Sequence, residues 1–172
     1  ISEDITTFGS KCFLSCSSLA TVTFDSNSLL SAIGDRCFES TAITAIELPN
    51  DITTLGVNGF TNCTSLAAVT FEDGSQLSTI GANCFNNTGF TNIIIPASVT
   101  TIGANVFKDS SLQTVTFKGD LVASVGTGSF DTTNSLAGQT WSLDTQYGAT
   151  HNTLTSYTWQ NGEPNYTFVL PA

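Results

Sequence analysis

Basic residues are scarce in this sequence. Only four of the 172 residues are lysine or arginine, against fourteen carboxylates, and the formal net charge is −10. Binding to nucleic acid depends on clustered lysine and arginine side chains that neutralise phosphates. Electrostatic attachment to an anionic membrane depends on the same residues. The composition therefore argues against both kinds of partner.

Charged residues and long apolar runs are also few. Charged residues make up 10% of the chain, whereas a globular domain has roughly a quarter, so serine, threonine, asparagine and glycine must cover the surface. The longest apolar run, residues 66–69, is much shorter than the roughly 18 residues of a membrane span. Methionine is absent and the chain begins at Ile1, which is typical of a mature or trimmed product. We expect an extracellular or cell-surface protein without membrane insertion.

An internal repeat is the strongest pattern in the sequence. An apolar residue followed by glycine recurs six times, and each glycine is followed four residues later by phenylalanine. A second block follows each phenylalanine, and its last two apolar positions alternate as they do in a β-strand. The repeated residues are Phe13, Phe38, Phe60, Phe85, Phe107 and Phe130, spaced by 25, 22, 25, 22 and 23 residues. They define units 1 to 6.

The repeat predicts a solenoid. One unit reads as a short strand, a turn, a bend at the glycine, and a short helical or 3-10 turn that carries the phenylalanine. No unit buries its apolar face alone, so units must stack and place their strands side by side. We expect a right-handed leucine-rich repeat solenoid with a parallel β-sheet over residues 1–136, in which glycine supplies a backbone angle that strains other residues. The alternating spacing suggests that the architectural repeat is a pair of units, 47 residues long.

The repeat resembles the BspA-like, or Treponema-type, leucine-rich repeats. The shared features are Ile-Gly, the phenylalanine four residues later, a cysteine or threonine three residues after it, and a Leu-x-x-Val-x-Phe strand block. Cys16 and Cys63 occupy the cysteine position, and Thr41, Thr88 and Ser110 replace it in other units. The resemblance implies a surface protein that adheres to host or matrix proteins, or to other cells. It implies no catalytic residues.

The other features of the sequence do not indicate an enzyme. No nucleophile elbow, phosphate-binding loop or dinucleotide fingerprint occurs. The single histidine, His151, stands in a polar stretch that is typical of a solvated loop, and no Cys-x-x-Cys pair is present. We therefore predict a protein without enzyme activity, cofactor or metal.

The five cysteines occupy two recurring positions. Cys12, Cys37 and Cys84 directly precede a repeat phenylalanine, and Cys16 and Cys63 follow one by three residues. Small positions of this kind suit a free thiol that behaves as a small hydrophobe, so we expect buried thiols. A stacked disulfide between Cys12 and Cys37, which hold the same position in adjacent units, is the alternative that geometry allows.

The candidate binding surface is formed by the outward-facing strand positions, which we call the ladder face. A solenoid often binds its partners on such a face, which favours protein or glycan ligands here. The alternative is that threonine simply suits an exposed strand. The candidate residues are Thr21, Thr23, Glu47, Thr70, Asn92, Thr114 and Thr116.

The composition changes in residues 137–172, which hold both tryptophans and all three tyrosines. Asn161-Gly162 between two alternating runs predicts a C-terminal β-hairpin, with strands near Leu154–Trp159 and Tyr166–Leu170. This segment is either a cap on the solenoid, as terminal repeats need, or an aromatic binding surface.

The two ends of the sequence resemble parts of one unit. Phe168 to Leu170 copies a strand ending, and Ile1 to Ile5 resembles its continuation. The second functional hypothesis is therefore a structural subunit that assembles head to tail into a homo-polymeric filament or surface layer, through Ile1, Ile5, Phe168 and Leu170.

Three sites match the acceptor motif for N-glycosylation. They begin at Asn62, Asn86 and Asn165. They are relevant only if a eukaryote secretes the protein.

Overall fold

The computed structural model describes residues 1–118 and 124–130, together with the backbone of three short segments near the C-terminus, residues 142–143, 156–160 and 163–167. Its secondary structure consists of strands and turns, and no described residue is helical. The described part therefore contains no helix that is long and apolar enough to cross a membrane. The strands are β1 (Thr7–Phe8), β2 (Ala32–Ile33), β3 (Ala45–Leu48), β4 (Thr54–Leu55), β5 (Ala68–Phe71), β6 (Thr79–Ile80), β7 (Asn92–Ile95), β8 (Thr101–Ile102), β9 (Thr114–Phe117), β10 (Ser124–Val125), β11 (Ser142–Leu143), β12 (Ser156–Gln160) and β13 (Glu163–Thr167).

The strands of the repeat units are parallel, which confirms the predicted solenoid. The two-residue strands that precede each glycine form a six-stranded sheet in the order β1-β2-β4-β6-β8-β10. The strands of the ladder face form two further sheets, β3-β5 and β11-β9-β7. Residues one unit apart lie opposite each other, as Ile46 does with Val69 and Ile93 with Val115. The core lies between these sheets and the phenylalanine turns.

The repeat phenylalanines form one stack through the core. Consecutive rings from Phe13 to Phe130 have centroids 5.1 to 5.9 Å apart and planes within 21° of parallel. The side chains of Phe38, Phe60, Phe85 and Phe107 are fully buried. Burying an aromatic side chain of this size contributes roughly 1.5–3 kcal/mol, so the stack is a major source of stability for the solenoid.

The helical or 3-10 turns expected around each phenylalanine are absent from the described units. A helix needs consecutive residues with negative φ, but the residues two before and two after the phenylalanine have positive φ, as in Arg36 (55°) and Ser40 (58°). Each segment is instead a series of tight turns. Its amides bond to the next unit, as Phe38 N–H does to the carbonyl of Gly59 over 2.8 Å. The turns of adjacent units are thereby joined by a row of main-chain hydrogen bonds along the solenoid, in addition to those between the strands.

The glycine after each two-residue strand is explained by close approach. The expectation of a special backbone angle is wrong at Gly34, Gly56, Gly81, Gly103 and Gly126, because none of them has a positive φ. A Cβ built on Gly81 would lie 2.7 Å from the carbonyl carbon of Gly56 and 2.7 Å from the amide nitrogen of Val57. The backbones of stacked units touch at this bend, and a side chain would separate them.

The C-terminal hairpin is present. Strands β12 and β13 pair antiparallel, with Tyr157 opposite Tyr166 and Gln160 opposite Glu163. The strands extend closer to Asn161-Gly162 than the sequence pattern predicted, so only these two residues separate them. The boundary predicted near residue 136 lies outside the described residues, and the division into two domains stays a prediction.

Candidate binding surface

The predicted ladder residues are on the surface of the solenoid. Alternation along a strand sends successive side chains to opposite faces, and the inward residues Ile46, Val69, Ile93 and Val115 are buried. Thr116 is the one candidate that is half-buried. The candidates with exposed side chains are Thr21, Thr23, Glu47, Thr70, Asn92 and Thr114.

The strands of the ladder face do not form one continuous sheet, although the sequence predicted a parallel β-sheet over residues 1–136. Full four-residue pairing joins units 2 and 3, through β3 and β5, and units 4 and 5, through β7 and β9. On the ladder face, the strand pairing between units 1 and 2 is reduced to an isolated bridge between Thr21 and Ala45. Strands β5 and β7 belong to different sheets. The structure therefore brings Glu47 beside Thr70, and Asn92 beside Thr114, but does not join these two pairs through the sheet.

The division follows the alternating length of the units. At both junctions with little or no strand pairing, the repeat phenylalanines of the two units are 25 residues apart. At both fully paired junctions they are 22 residues apart. Unit 3 has one more residue than unit 4 between its phenylalanine and the strand block, and two more between the strand and the next buried aliphatic residue, Leu77. The predicted pairing of units is thus visible as an alternation between closed and open strand junctions.

The longer loop of unit 3 is held against unit 2. The amide of Glu72 donates to the carbonyl oxygen of Leu48 over 3.0 Å, and the Glu72 carboxylate accepts from the amide of Asn50 over 3.1 Å. Gln76 donates from its amide to Asn50 O over 2.8 Å and from its side chain to Asp51 Oδ1 over 3.2 Å. These four bonds hold the loop away from unit 4, and a space remains between β5 and β7.

This space is a cleft of about 350 Å³. Its lining includes apolar surface from Phe71, which is half-buried, and from Ile94, which is 49% exposed. The residue of unit 2 that corresponds to Phe71, Leu48, is fully buried. The hydroxyl oxygen of Ser98, also in the lining, is buried and has no hydrogen-bond partner in the described part of the chain. The remaining lining residues are Val69, Thr70, Glu72, Asp73, Gly74, Ser75, Asn92, Pro96, Ala97 and Lys118.

The cysteines are free, and they differ in exposure. Cys37, Cys63 and Cys84 are buried as expected, whereas Cys12 and Cys16 are exposed. The expectation of burial is wrong for these two because unit 1 has a neighbouring unit on one side only in this structure. Burial raises the pKa of the Cys37 thiol to about 12, and it also raises the pKa of Cys63 and of Cys84. Among the residues that the structure describes, no three histidine, cysteine or acidic side chains are grouped as metal ligands would be.

The predicted assembly ends are only partly described. Ile1 and Ile5 are 38% and 41% exposed, and Phe168 and Leu170 lie outside the described residues. Core positions of unit 1, such as Phe13 and Phe24, are half-buried, while their equivalents in units 2 and 4 are fully enclosed.

The acceptor motifs have different environments. Asn62 is exposed, and its side-chain oxygen accepts from Asn87 Nδ2 over 3.0 Å. Asn86 is half-buried, and the threonine of its motif, Thr88, is buried. The side chain of Asn165, in β13, is outside the described part. Glycosylation at the three sites stays a prediction.

Comparison with known proteins identifies the family. The model of the BspA type leucine-rich repeat region matches in six copies, over residues 1–111 and 31–151. The chain belongs to this family, as the sequence resemblance predicted. None of the curated proteins compared with the chain matches it.

Two solved structures are similar to part of this chain. The pneumococcal vaccine antigen PcpA is 32% identical over 69% of this chain, with a TM-score of 0.67. A leucine-rich repeat protein from Bacteroides capillosus ATCC 29799 is 27% identical, and the match covers 67% of this chain and 79% of that chain, with a TM-score of 0.45. This chain spans 29% of the length of PcpA.

Proposed function

We propose that the chain is a non-enzymatic, extracellular adhesion module that binds protein or glycan partners through its ladder face. The observation that carries this proposal is the row of exposed, mostly uncharged strand residues from Thr21 to Thr114. Repeat solenoids use such extended surfaces for binding. The family supports a protein-interaction role, and the similarity to PcpA, a vaccine antigen, supports a location at the cell surface.

A pair of arginine variants tests the ladder face. Thr114 lies in β9 and Thr54 in β4; both threonines are exposed, and each strand has a neighbour on both sides. Wild-type chain, Thr114→Arg and Thr54→Arg are applied to arrays printed with extracellular-matrix proteins and with glycans. We expect Thr114→Arg to lose the spots that wild type binds, and Thr54→Arg to keep them. Equal binding by both variants, or a wild type that binds no spot, would contradict the proposal.

A second candidate function is head-to-tail assembly into a filament or surface layer. The sequence feature that favours it is the likeness of residues 168–170 to a strand ending and of residues 1–5 to its continuation, and the side chains of Ile1 and Ile5 are 38% and 41% exposed. An uncovered repeat edge also presents main-chain groups that pair readily with another chain. Contacts of this kind between unlike ends do not close, and they generate filaments.

The size of the chain in solution tests this assembly. Light scattering after size exclusion, across a concentration series, should show species that grow with concentration, and Ile5→Lys should suppress the growth. Wild type that stays at the monomer mass of 18.0 kDa at every concentration would exclude the filament.

A further inference from the structure

The cleft between β5 and β7 has an open strand edge on each side. Among the described strands, β5 is hydrogen-bonded only to β3, and β7 only to β9. The N–H group of Glu72 points to unit 2. Successive residues of a strand direct their main-chain groups to opposite sides. Val69 and Phe71 therefore direct their N–H and C=O groups into the cleft. Ile95 accepts from the amide of Lys118 on the other side, so by the same rule Asn92 and Ile94 face β5.

The cleft is a wedge. It is closed just before the strands begin, because the main chains of units 3 and 4 touch there. A Cβ built on Gly89 would lie 2.5 Å from the carbonyl oxygen of Thr64. It is open toward the strand ends, between the loop at residues 72–75 and the turn at residues 96–98. Because the Glu72 and Gln76 bonds hold that loop against unit 2, the opening is built into the fold.

We propose that the open end of this cleft binds a short, extended segment of a partner polypeptide, which pairs with the ends of β5 and β7 at Phe71 and Ile94. The proposal rests on the interaction function above, and it names the chemical class of one partner. An extended chain supplies donors and acceptors at the strand repeat of about 3.3 Å, which is what two open edges require. The volume of about 350 Å³ is near the lower end of the range for ligand pockets, so a few residues fill it.

The lining also selects side chains. Phe71, Ile94 and Pro96 provide an apolar surface for an inserted aliphatic side chain, and the charged lining residues Asp73 and Lys118 leave room for a polar or charged residue of either sign next to it. The Ser98 hydroxyl oxygen is buried without a partner in the described chain. Buried polar atoms are nearly always hydrogen-bonded, and the main chain of the bound segment provides a partner.

The test uses a labelled peptide, Lys-Thr-Val-Thr-Val-Thr-Lys, and fluorescence anisotropy with the full chain. A second peptide carries N-methyl groups on alternate residues, which remove main-chain donors and leave the side chains unchanged. We expect the unmodified peptide to bind, and the methylated peptide to bind at least about tenfold more weakly because hydrogen bonds are lost. Equal affinity for both peptides would overturn strand addition.

A matched pair of variants locates the site. Ala97 lines the cleft and Ala45 lies in β3 outside it, and both are exposed. Ala97→Arg should abolish peptide binding, and Ala45→Arg should keep it, with circular dichroism confirming that both are folded. Amide shifts in NMR spectra should map to the open end of the cleft, at residues 71 and 94. No binding up to about 1 mM peptide, or shifts elsewhere, would overturn the proposal, while the Thr114→Arg array result tests the ladder-face function separately.

Discussion

The thiol of Cys63 donates to the carbonyl oxygen of Phe38, 25 residues earlier, over 2.9 Å. The same position in other units carries a hydroxyl that reaches the phenylalanine carbonyl of its own unit, as Thr41, Thr88 and Ser110 do. In units 2 to 5 the family position, occupied by cysteine, threonine or serine, is thus a buried hydrogen-bond donor to the phenylalanine turns. It stabilises the turns by giving their enclosed carbonyl groups a partner.

Removing this side-chain donor should lower stability most in a unit whose phenylalanine carbonyl has no other hydrogen-bond donor. The carbonyl of Phe85 accepts from the Thr88 hydroxyl over 2.8 Å, whereas that of Phe38 also accepts from Cys63 and from the amide of Thr41. Thr88→Val should therefore lower the free energy of unfolding by about 1–3 kcal/mol, the cost of an unsatisfied buried group. Thr41→Val should cost less than about 1 kcal/mol. Urea denaturation measures both, and equal losses would refute this explanation.

The glycine bends allow the effect of an added side chain to be compared between a bend that contacts the preceding unit and a bend that does not. Gly81→Ala should destabilise the fold by about 3 kcal/mol or more, because its Cβ would overlap backbone atoms that cannot move aside. Gly9 has the same sequence position in unit 1, and a Cβ there meets nothing within 4 Å. Gly9→Ala should leave stability unchanged or raise it by up to about 1 kcal/mol. Similar thermal shifts for the two variants would show that close stacking is not what requires glycine.

Thiol reactivity should separate the cysteines into two classes. In the folded protein only Cys12 and Cys16 should react with iodoacetamide, and all five should react after unfolding, as counted by mass spectrometry. Rapid labelling of Cys84 in the folded state would contradict its burial.

The raised pKa of Cys37 also predicts a pH dependence of stability. Below about pH 9 both states keep this thiol protonated, so its contribution is fully present. As the pH rises from 9.0 toward about 12, the unfolded state ionises first and stability falls. The fall in the free energy of unfolding across that pH window should be smaller in Cys37→Ala than in wild type. An equal fall in both would show that the Cys37 thiol is not its cause.

The ring stack should be least tolerant of change in its middle. Phe85 is fully buried and stacks on Phe60 at 5.4 Å and on Phe107 at 5.9 Å. Phe85→Ala should cost about 3–5 kcal/mol. Phe13 is half-buried and stacks on one side only, so Phe13→Ala should cost about 1–2 kcal/mol. Denaturant titration compares the two, and a larger loss for Phe13 would be inconsistent with the described core.

The repeat made the architecture predictable, because the spacing of apolar residues determines which residues can stack. The positive-φ positions were missed, although asparagine two residues before and after Phe60 and Phe85 was a visible signal. Asparagine adopts this conformation more readily than most residues. The exposure of Cys12 was missed because periodicity treats all units alike, whereas burial depends on having a neighbour on both sides.

The cleft could not be predicted from spacing alone. The difference between 25 and 22 residues shows where unit 3 has extra chain, but not the direction in which the extra loop leans. That direction depends on the bonds of Glu72 and Gln76 to unit 2. Contacts between side chains from different units carry no periodic signature, so the open junction between β5 and β7 became visible only in three dimensions.

The central claim is that the ladder face opens between β5 and β7, and amide hydrogen exchange of the free chain tests it most directly. Amides that face the cleft, Val69, Phe71 and Ile94, should exchange much faster than those of Thr70 and Ile93, which face paired strands. Protection depends on hydrogen bonding and local opening, so neighbouring residues of one strand serve as internal controls. Equal, strong protection of both sets would mean that the ladder is closed at this junction, and would contradict the account.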